Sequence, residues 1–192
     1  MSDLEAAVEA IEAGELVVYP TETVYGLGAD ALDPDAVERV FAAKGRDREE
    51  PVSMAVPDLH AAIEYTAPTA TERAFMHEFL PGPVTVLVER RDMVPDILTA
   101  GREQVGIRVP DHPLALDLLE QVAPITATSA NVSGRPSVRR VADLDSITDS
   151  AEVVLDGGET GGTGSTVVDV ETGEIHRRGP DADAIEAWLA DR

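Results

Sequence analysis

The spacing of hydrophobic positions changes several times along the chain, and each change predicts a boundary between elements. Apolar residues recur at helical intervals from Leu4 to Ile11, which predicts an amphipathic helix that ends at Gly14. The continuous apolar run 16–19 predicts a buried strand that stops at Pro20. Asp33 followed by Pro34 is typical of a helix N-cap with a first-turn proline, so a helix is expected from there through Phe41.

The rest of the chain alternates in the same way between strand-like and helix-like patterns. Strands are predicted at 51–56, 84–89, 105–109, 124–128, 153–155, 166–170 and 174–177, and helices at 58–65, 69–80, 113–122 and 182–190. Thr69 to Glu72 resembles a capping box, and Thr172-Gly173 predicts a hairpin turn. Roughly seven strands mixed with helices, with no internal repeat and no linker, favour an α/β fold: one domain over residues 1–192 built around a twisted, mixed sheet.

Composition then changes what such a domain is expected to bind. The chain has 192 residues, 43% of them hydrophobic, and a formal net charge of −22, so it can bury a core yet carries a very acidic surface. Such a surface favours a halophilic source, because concentrated salt screens the repulsion between carboxylates. It disfavours contact with nucleic acid phosphates and with anionic membranes.

Two further sequence features bear on location. Cysteine does not occur, so disulfides and thiolate metal sites are excluded. The first fifteen residues are acidic and amphipathic rather than basic and then apolar, and no apolar run approaches the ~20 residues that span a bilayer. A cytoplasmic protein is therefore expected.

Lys44 is the one lysine in a chain with 15 basic residues, and it lies two positions before Arg46 at the end of a predicted helix. An ammonium and a guanidinium this close together suit phosphate binding. The alternative is a helix C-terminus at which basic residues offset the helix dipole and Gly45 ends the helix. The two residues alone leave both interpretations open.

Three other segments combine small or polar residues with a predicted strand end. In 20–28, Thr21 and Thr23 alternate along an extended segment that ends in glycines; a polar strand edge is the alternative. Ser129 and Asn131 follow a buried strand, where open α/β sheets place their ligands, although an Asx-type turn would use the same residues. The glycine-rich segment 156–164 could form an anion nest or a flexible surface hairpin.

Arginines supply two more candidate positions. Arg108 lies among apolar residues on a predicted strand, where a partly buried arginine needs an anionic partner, either a structural aspartate or a substrate carboxylate. Arg177 and Arg178 form a second cationic pair near the C-terminus.

The order of these motifs is more specific than any one of them. The ordered set resembles the YrdC/TsaC family of L-threonylcarbamoyladenylate synthases over about residues 5 to 188: Pro20-Thr21-Glu22-Thr23-Val24-Tyr25-Gly26-Leu27, Lys44-Gly45-Arg46, Pro81-Gly82-Pro83-Val84-Thr85, Gly106-Ile107-Arg108-Val109-Pro110, Ser129-Ala130-Asn131 and Ser165-Thr166-Val167. The resemblance implies an open twisted sheet with flanking helices and a large, positively lined concave cavity. It also implies a reaction in which threonine, bicarbonate or CO2, and ATP give threonylcarbamoyl-AMP and pyrophosphate.

The resemblance also implies roles for individual residues. Lys44, Arg46, Ser129 and Asn131 match the catalytic tetrad around the nucleotide phosphates, and Ser137 and Arg178 match further ATP contacts, together with Arg46 and Ser129. Four residues match the threonine pocket: Thr23, Arg108, Ala127 through its backbone, and Ser165. Mg²⁺ is expected to enter with ATP, held by phosphates, so no metal ligand is assigned. Glu50 and Ala55 stand where some relatives carry Asn and His, and neither is given a role.

The implied product would pass to a tRNA threonylcarbamoyl transferase complex for the modification of adenosine beside the anticodon. A non-catalytic module of the same fold that binds double-stranded RNA is the alternative, and the net charge of −22 disfavours it, as it disfavours direct tRNA binding. Carbamoyl-transfer domains of hydrogenase maturation proteins are a third possibility, disfavoured by the short chain without cysteine.

Overall fold

A computed structural model describes residues 2–192, and nine strands form one mixed sheet within that range. The strand order is β7-β1-β2-β6-β3-β5-β4-β8-β9, with β1–β7, β3–β5 and β4–β8 parallel and the other neighbours antiparallel. The strands are β1 Leu16–Tyr19, β2 Gly26–Gly28, β3 Ser53–Ala55, β4 Val84–Glu89, β5 Gln104–Arg108, β6 Ile125–Ser129, β7 Ala151–Val154, β8 Thr166–Asp169 and β9 Glu174–Arg177.

Seven α-helices flank the sheet in the described range. They are α1 Asp3–Glu12, α2 Pro34–Lys44, α3 Leu59–Tyr65, α4 Ala70–Phe79, α5 Asp96–Thr99, α6 Pro113–Val122 and α7 Ala182–Ala190, with a short 3₁₀ helix at Val141–Asp143. The expected α/β class with a large mixed sheet is confirmed.

Local sequence signals account for most of the boundaries. Asp33 caps α2 by accepting a hydrogen bond from the Asp35 backbone, and Gly45 ends that helix in the left-handed conformation at φ 56°. Thr69 and Glu72 form the predicted capping box of α4. Each device satisfies backbone groups that a helix end leaves without partners, which is why a few residues are enough to place it.

Three elements differ from the sequence expectation or go beyond it. Strand β2 lies in the segment interpreted as an extended loop; with the sequence Gly-Leu-Gly it has no hydrophobic alternation, and it becomes a strand by pairing with β1 and β6. Its glycines are needed because a Cβ on Gly26 would lie 2.8 Å from the Tyr19 ring. The four-residue helix α5 and the 3₁₀ helix are too short to leave a periodic pattern.

Alternate residues of β1 pack on opposite faces of the sheet. Val17 and Tyr19 lie in a cluster with α1 and α6, whereas Leu16 and Val18 pack against α2 and the segment around Val138. Both faces of this strand are therefore covered by apolar side chains, as its unbroken hydrophobic run predicts.

The other half of the sheet has one apolar and one open face. In β4, Val84, Val86 and Val88 point into the largest core cluster, while Thr85 and Leu87 point to the opposite side. The alternation continues through β3, β5 and β8, so the open side carries polar and small residues. Its concave surface is the floor of a cavity.

Candidate functional site

The cavity has a volume of about 430 Å³, and the residues that line it come from nearly every loop singled out in the sequence. Seven of the predicted site residues line it: Thr23, Arg46, Arg108, Ala127, Ser129, Ser137 and Ser165. They lie up to 142 positions apart in the sequence (23 to 165), and the sheet brings them to one surface because β3, β5, β6 and β8 are close neighbours in it.

The charge of the cavity is opposite to that of the molecule. Among the described residues its lining includes Arg46, Arg102, Arg108 and Arg177, against one carboxylate, that of Asp169. Loss of solvent lowers the pKa of Arg177, and the charges of Arg108 and Arg46 lower it further, so these guanidinium groups are close enough to repel one another. A concave cationic surface in a protein of net charge −22 is suited to an anionic ligand.

Lys44 lies behind the cavity wall rather than in it. Its side chain is 1% exposed, and its ammonium donates to the backbone carbonyls of Ser129 and, at 2.7 Å, of Asn131. The Lys44 carbonyl accepts a hydrogen bond from the Ser133 amide at 2.8 Å. The lysine therefore holds the 129–133 loop at three points. Burial lowers the pKa of Lys44 to about 8, with the nearby charge of Arg46 acting in the same direction.

Arg46 does line the cavity, and backbone oxygens fix its orientation. Nε donates to the Glu50 carbonyl at 3.1 Å and Nη2 to the Pro51 carbonyl at 3.0 Å. The Glu50 carboxylate lies 3.7 Å from Nη1 and is 60% exposed. Glu50 thus pairs with Arg46 at the cavity edge, and Ala55 forms part of the floor.

The last residue of β6 presents its side chain to the cavity, and the loop that follows turns another side chain inward. Ser129 lines the cavity, whereas the Asn131 amide donates to the carbonyls of Val132 and Arg135, both at 2.9 Å. Oδ1 of Asn131 is buried and has no hydrogen-bond partner within residues 2–192. Asn131 thereby fixes the turn that carries Ser137 to the cavity edge.

Arg108 ends β5 with 8% exposure, and its internal partner is a glutamate. Its Nη2 donates to Oε1 of Glu22 at 2.8 Å and to Oγ1 of Thr23 at 2.9 Å. Arg108 Nε and Glu22 Oε2 are both buried, and neither has a hydrogen-bond partner in the described part of the chain. The alternatives left open by the sequence were a structural aspartate and a substrate carboxylate. The observed partner is a structural carboxylate, although a glutamate rather than an aspartate, and it leaves Nε of Arg108 without an acceptor in the described part of the chain.

Arg177 extends the cationic surface along β9. Its Nε donates to the Ser165 carbonyl and its Nη2 to the Ser165 hydroxyl, each at 2.8 Å. The same hydroxyl lies 2.9 Å from Oγ1 of Thr85. Ser165 is thus fixed from two sides at the cavity floor.

Arg178, predicted from the resemblance as an ATP contact, does not line the cavity. It pairs with Glu186 and, at 2.6 Å, with Asp183 on α7, and its side chain is 54% exposed. Arg178 follows the last residue of β9, and its ion pairs with α7 hold it away from the cavity that Arg177 lines. The resemblance pointed to Arg178, and strand alternation does not separate the two arginines, because the adjacent residues His176 and Arg177 both line the cavity.

Glu22 was also missed as a site residue, although the motif containing it was recognised. The glycine-rich segment packs onto this motif: the amides of Gly161 and Gly162 donate to the carbonyls of Glu22 (3.3 Å) and Thr23 (2.5 Å). An anion nest requires free backbone amides. These two amides donate to carbonyls within the protein and are therefore not available to an anion.

Residues 2–192 contain neither a membrane-spanning helix nor a cluster of metal-binding side chains. None of the helices combines the length and the apolar character that a membrane crossing requires. No three His, Asp or Glu side chains are grouped so that they could hold a metal ion.

Comparisons with known proteins identify the relatives of this chain. The Sua5/YciO/YrdC family model, described as telomere recombination, matches residues 9–179. The chain is 41% identical over 172 residues to a threonylcarbamoyl-AMP synthase of Pyrococcus abyssi, covering 87% of this chain and 50% of that protein. It is 42% identical over 168 residues to a threonylcarbamoyl-AMP synthase of Bacillus subtilis, covering 84% of this chain and 48% of that protein.

The structural comparison agrees with these matches. The crystal structure of P. abyssi Sua5 complexed with L-threonine superposes with a TM-score of 0.85 at 35% identity, covering 96% of this chain and 58% of that one. The chain spans about half the length of the two curated relatives. By sequence, fold and the ordered motifs around one cavity, the chain belongs to the Sua5/YciO/YrdC family.

Proposed function

We propose that this protein is an L-threonylcarbamoyladenylate synthase. It would convert L-threonine, bicarbonate and ATP into threonylcarbamoyl-AMP, pyrophosphate and water. The observation that carries the proposal is the meeting of two kinds of group in one cavity: the Arg108–Thr23 corner, suited to an amino acid, and the Arg46, Ser129 and Arg177 surface, suited to phosphates. Relatives named threonylcarbamoyl-AMP synthase, and a relative crystallised with L-threonine, support it.

The amino acid end of the cavity would orient the substrate. Arg108 pairs with the threonine carboxylate, while Ser165 and the backbone of Ala127 close the pocket around the remaining polar groups. The threonine amine loses protons and adds carbon dioxide to become a carbamate anion. Holding this anion against the nucleotide makes the next step effectively unimolecular, which is the main rate advantage that such a pocket supplies.

The nucleotide end would stabilise the charge that moves during adenylation. A carbamate oxygen attacks the α-phosphorus of ATP, the bond to the bridging oxygen breaks, and pyrophosphate leaves with the electron pair. Arg46 and Arg177 are fixed by hydrogen bonds before any ligand arrives, so little reorganisation is needed when negative charge builds on the phosphates. Mg²⁺ enters with ATP as part of the substrate, held mainly by phosphate oxygens.

In this scheme Lys44 and Asn131 act indirectly, through the loop that they hold, and not by contact with the substrate. Both hold the loop that presents Ser129, through the Lys44 contacts with carbonyls and the Asn131 contacts with Val132 and Arg135. We assign the ATP role expected of Arg178 to Arg177, because Arg177 lines the cavity and Arg178 pairs with α7.

A transferase complex that modifies tRNA would consume the product. The alternative of a double-stranded RNA-binding module is less well supported, because four arginines are gathered in a small cavity while the net charge is −22.

The test is pyrophosphate release by the purified protein in molar KCl, measured with and without threonine and bicarbonate. Release that needs both, with threonylcarbamoyl-AMP identified by mass spectrometry, is the expected result. An Arg46→Ala variant is the control for contaminating activity. Pyrophosphate release that is indifferent to threonine, or duplex RNA binding without any turnover, would refute the assignment.

A further inference from the structure

The hydroxyl of Thr21 has a single possible direction of donation. Its Oγ1 lies 2.7 Å from the Val24 carbonyl oxygen, and both atoms are buried. A carbonyl oxygen can only accept, so the one hydroxyl proton of Thr21 must point to Val24. Toward its other neighbours Thr21 is an acceptor, and two of these are the backbone amides of Thr23 and Val24, each 3.3 Å from Oγ1.

This fixes the neighbouring hydroxyl in turn. Oγ1 of Thr23 lies 2.9 Å from Oγ1 of Thr21, closer than either amide. Because the proton of Thr21 is already used, a hydrogen bond at this distance has Thr23 as its donor. Nη2 of Arg108 donates to Oγ1 of Thr23 at 2.9 Å, which uses one of the two Thr23 lone pairs. The hydrogen bonds therefore run one way, from Arg108 through Thr23 and Thr21 to the Val24 carbonyl.

One lone pair of Thr23 remains for a ligand, and Thr23 forms part of the cavity wall. We propose that Thr21 is the residue that makes Thr23 an obligate hydrogen-bond acceptor, so that the pocket selects an amino acid whose β-substituent donates a hydrogen bond. Thr21 is in this sense a positioning residue that determines specificity through Thr23. The inference rests on the proposed function for the identity of the substrate. The direction of the hydrogen bonds is independent of that function.

The substrate donor that meets this lone pair is the β-hydroxyl rather than the α-ammonium. An ammonium bound to Thr23 would lie beside the Arg108 guanidinium, which already bonds the same oxygen, and two cations at that separation repel. A hydroxyl carries no such cost. It also passes through the reaction unchanged, whereas the amine must shed protons and add carbon dioxide.

The kinetic test compares Thr21→Val, which keeps the shape and removes the hydroxyl, with Thr21→Ser, which keeps the hydroxyl. The competitor is O-methylthreonine, whose ether oxygen can accept but not donate. The quantity measured is the inhibition constant of O-methylthreonine divided by the KM for threonine. In the wild type, the ether oxygen of O-methylthreonine would face the free lone pair of Thr23, and neither oxygen could donate a hydrogen bond to the other. In Thr21→Val, the Thr23 proton is released and can turn to the ether, so the ratio should fall by about tenfold. Thr21→Ser should keep the wild-type ratio.

Comparing ratios removes the effect of the extra methyl group, because its bulk is the same in every variant. Thr21→Val loses bonds that brace the Thr21–Val24 turn, so its melting temperature is measured alongside. In a Thr23→Val background the Thr21 substitution should change the ratio no further. An unchanged ratio in Thr21→Val, or an equal change in the Thr23→Val background, would overturn the proposal.

Neutron diffraction of deuterated protein tests the hydrogen bonds without any substrate. The expected map places the Thr23 hydroxyl deuteron between its oxygen and Oγ1 of Thr21. A deuteron pointing into the cavity would overturn the inference even if the enzyme proves active. Conversely, a wild-type protein that turns over no threonine would refute the proposed function while leaving the neutron result valid.

Discussion

The ammonium of Lys44 lies 2.7 Å from the backbone carbonyl oxygen of Asn131, and its second acceptor is the carbonyl of Ser129. The one lysine of this chain is therefore an internal support for the loop that forms one wall of the cavity. A buried cation needs such partners, because taking an ammonium out of water is costly without them. The position of the lysine two residues before Arg46 separates the two roles: Arg46 faces the ligand site, and Lys44 holds its wall.

Lys44→Ala should reduce both stability and synthesis. It leaves two buried carbonyls without a charged donor, which we expect to lower the free energy of unfolding by about 3 kcal/mol. Turnover should fall at least a hundredfold, because Ser129 is no longer held in place. Urea unfolding in molar KCl and pyrophosphate release provide the two measurements. Arg46→Ala is the matched comparison, with a similar loss of turnover but little loss of stability. Wild-type turnover in a folded Lys44→Ala protein would contradict the assignment.

Burial of Lys44 should also leave a signature in the pH dependence of stability. Burial lowers the pKa of Lys44 to about 8 in the folded protein, whereas in the unfolded chain the ammonium keeps its proton until about pH 10.5, the ordinary value for lysine. Between these values the unfolded state binds more protons, so the penalty for the buried charge is full below pH 8 and is relieved as pH rises. The free energy of unfolding of the wild type should therefore rise relative to Lys44→Met from pH 8 to pH 10. A constant difference between the two would show that Lys44 titrates normally.

Arg108→Lys should raise the KM for threonine far more than the KM for ATP. The guanidinium bonds Glu22 and Thr23 through one nitrogen and retains other donors for a carboxylate. An ammonium is a single point charge that cannot keep these planar contacts together. Initial rates at varied threonine and then at varied ATP separate the two constants. Equal increases would place Arg108 in the framework or in the nucleotide site.

Arg177 and Arg178 offer a comparison between adjacent residues of the same type. Arg177→Ala removes a cavity cation that also holds Ser165, so the KM for ATP should rise at least tenfold and threonine binding should weaken as well. Arg178→Ala removes exposed ion pairs with Asp183 and Glu186, which are worth little, so kinetics and stability should change little. Steady-state kinetics of both variants decide the matter. The reverse pattern would restore Arg178 as the nucleotide contact.

Stability should increase with salt concentration. With 37 acidic and 15 basic residues, the surface carboxylates repel one another over a Debye length of ~30 Å at low ionic strength. Concentrated salt shortens this range to ~3 Å and removes most of the repulsion. Melting temperatures should therefore rise from about 0.01 M to about 3 M KCl, the span over which that screening changes. A midpoint that does not respond to KCl would argue against a halophilic adaptation and for an acidic surface that serves an interaction.

Most elements could be predicted from the sequence because their signals are local. Asp33-Pro34, the Thr69–Glu72 box and the run ending at Pro20 each act on neighbouring backbone groups, and the structure places the boundaries there. Strand β2 shows the limit: its three residues have no pattern of their own, and it is a strand only because β1 and β6 lie on either side. The candidate site divides in the same way.

By itself, the sequence determined the fold class, the family and the segments that meet at the cavity, since each of these follows from residue order and short-range patterns. The tertiary structure decided what each side chain does there. Glu22 reaches Arg108 across 86 positions, Lys44 supports a loop 85 to 87 positions away, and Arg177 rather than Arg178 faces the cavity. These contacts depend on which strands pair and on how the loops and helix ends between them pack together, and residues so far apart in the chain meet only once the sheet has formed.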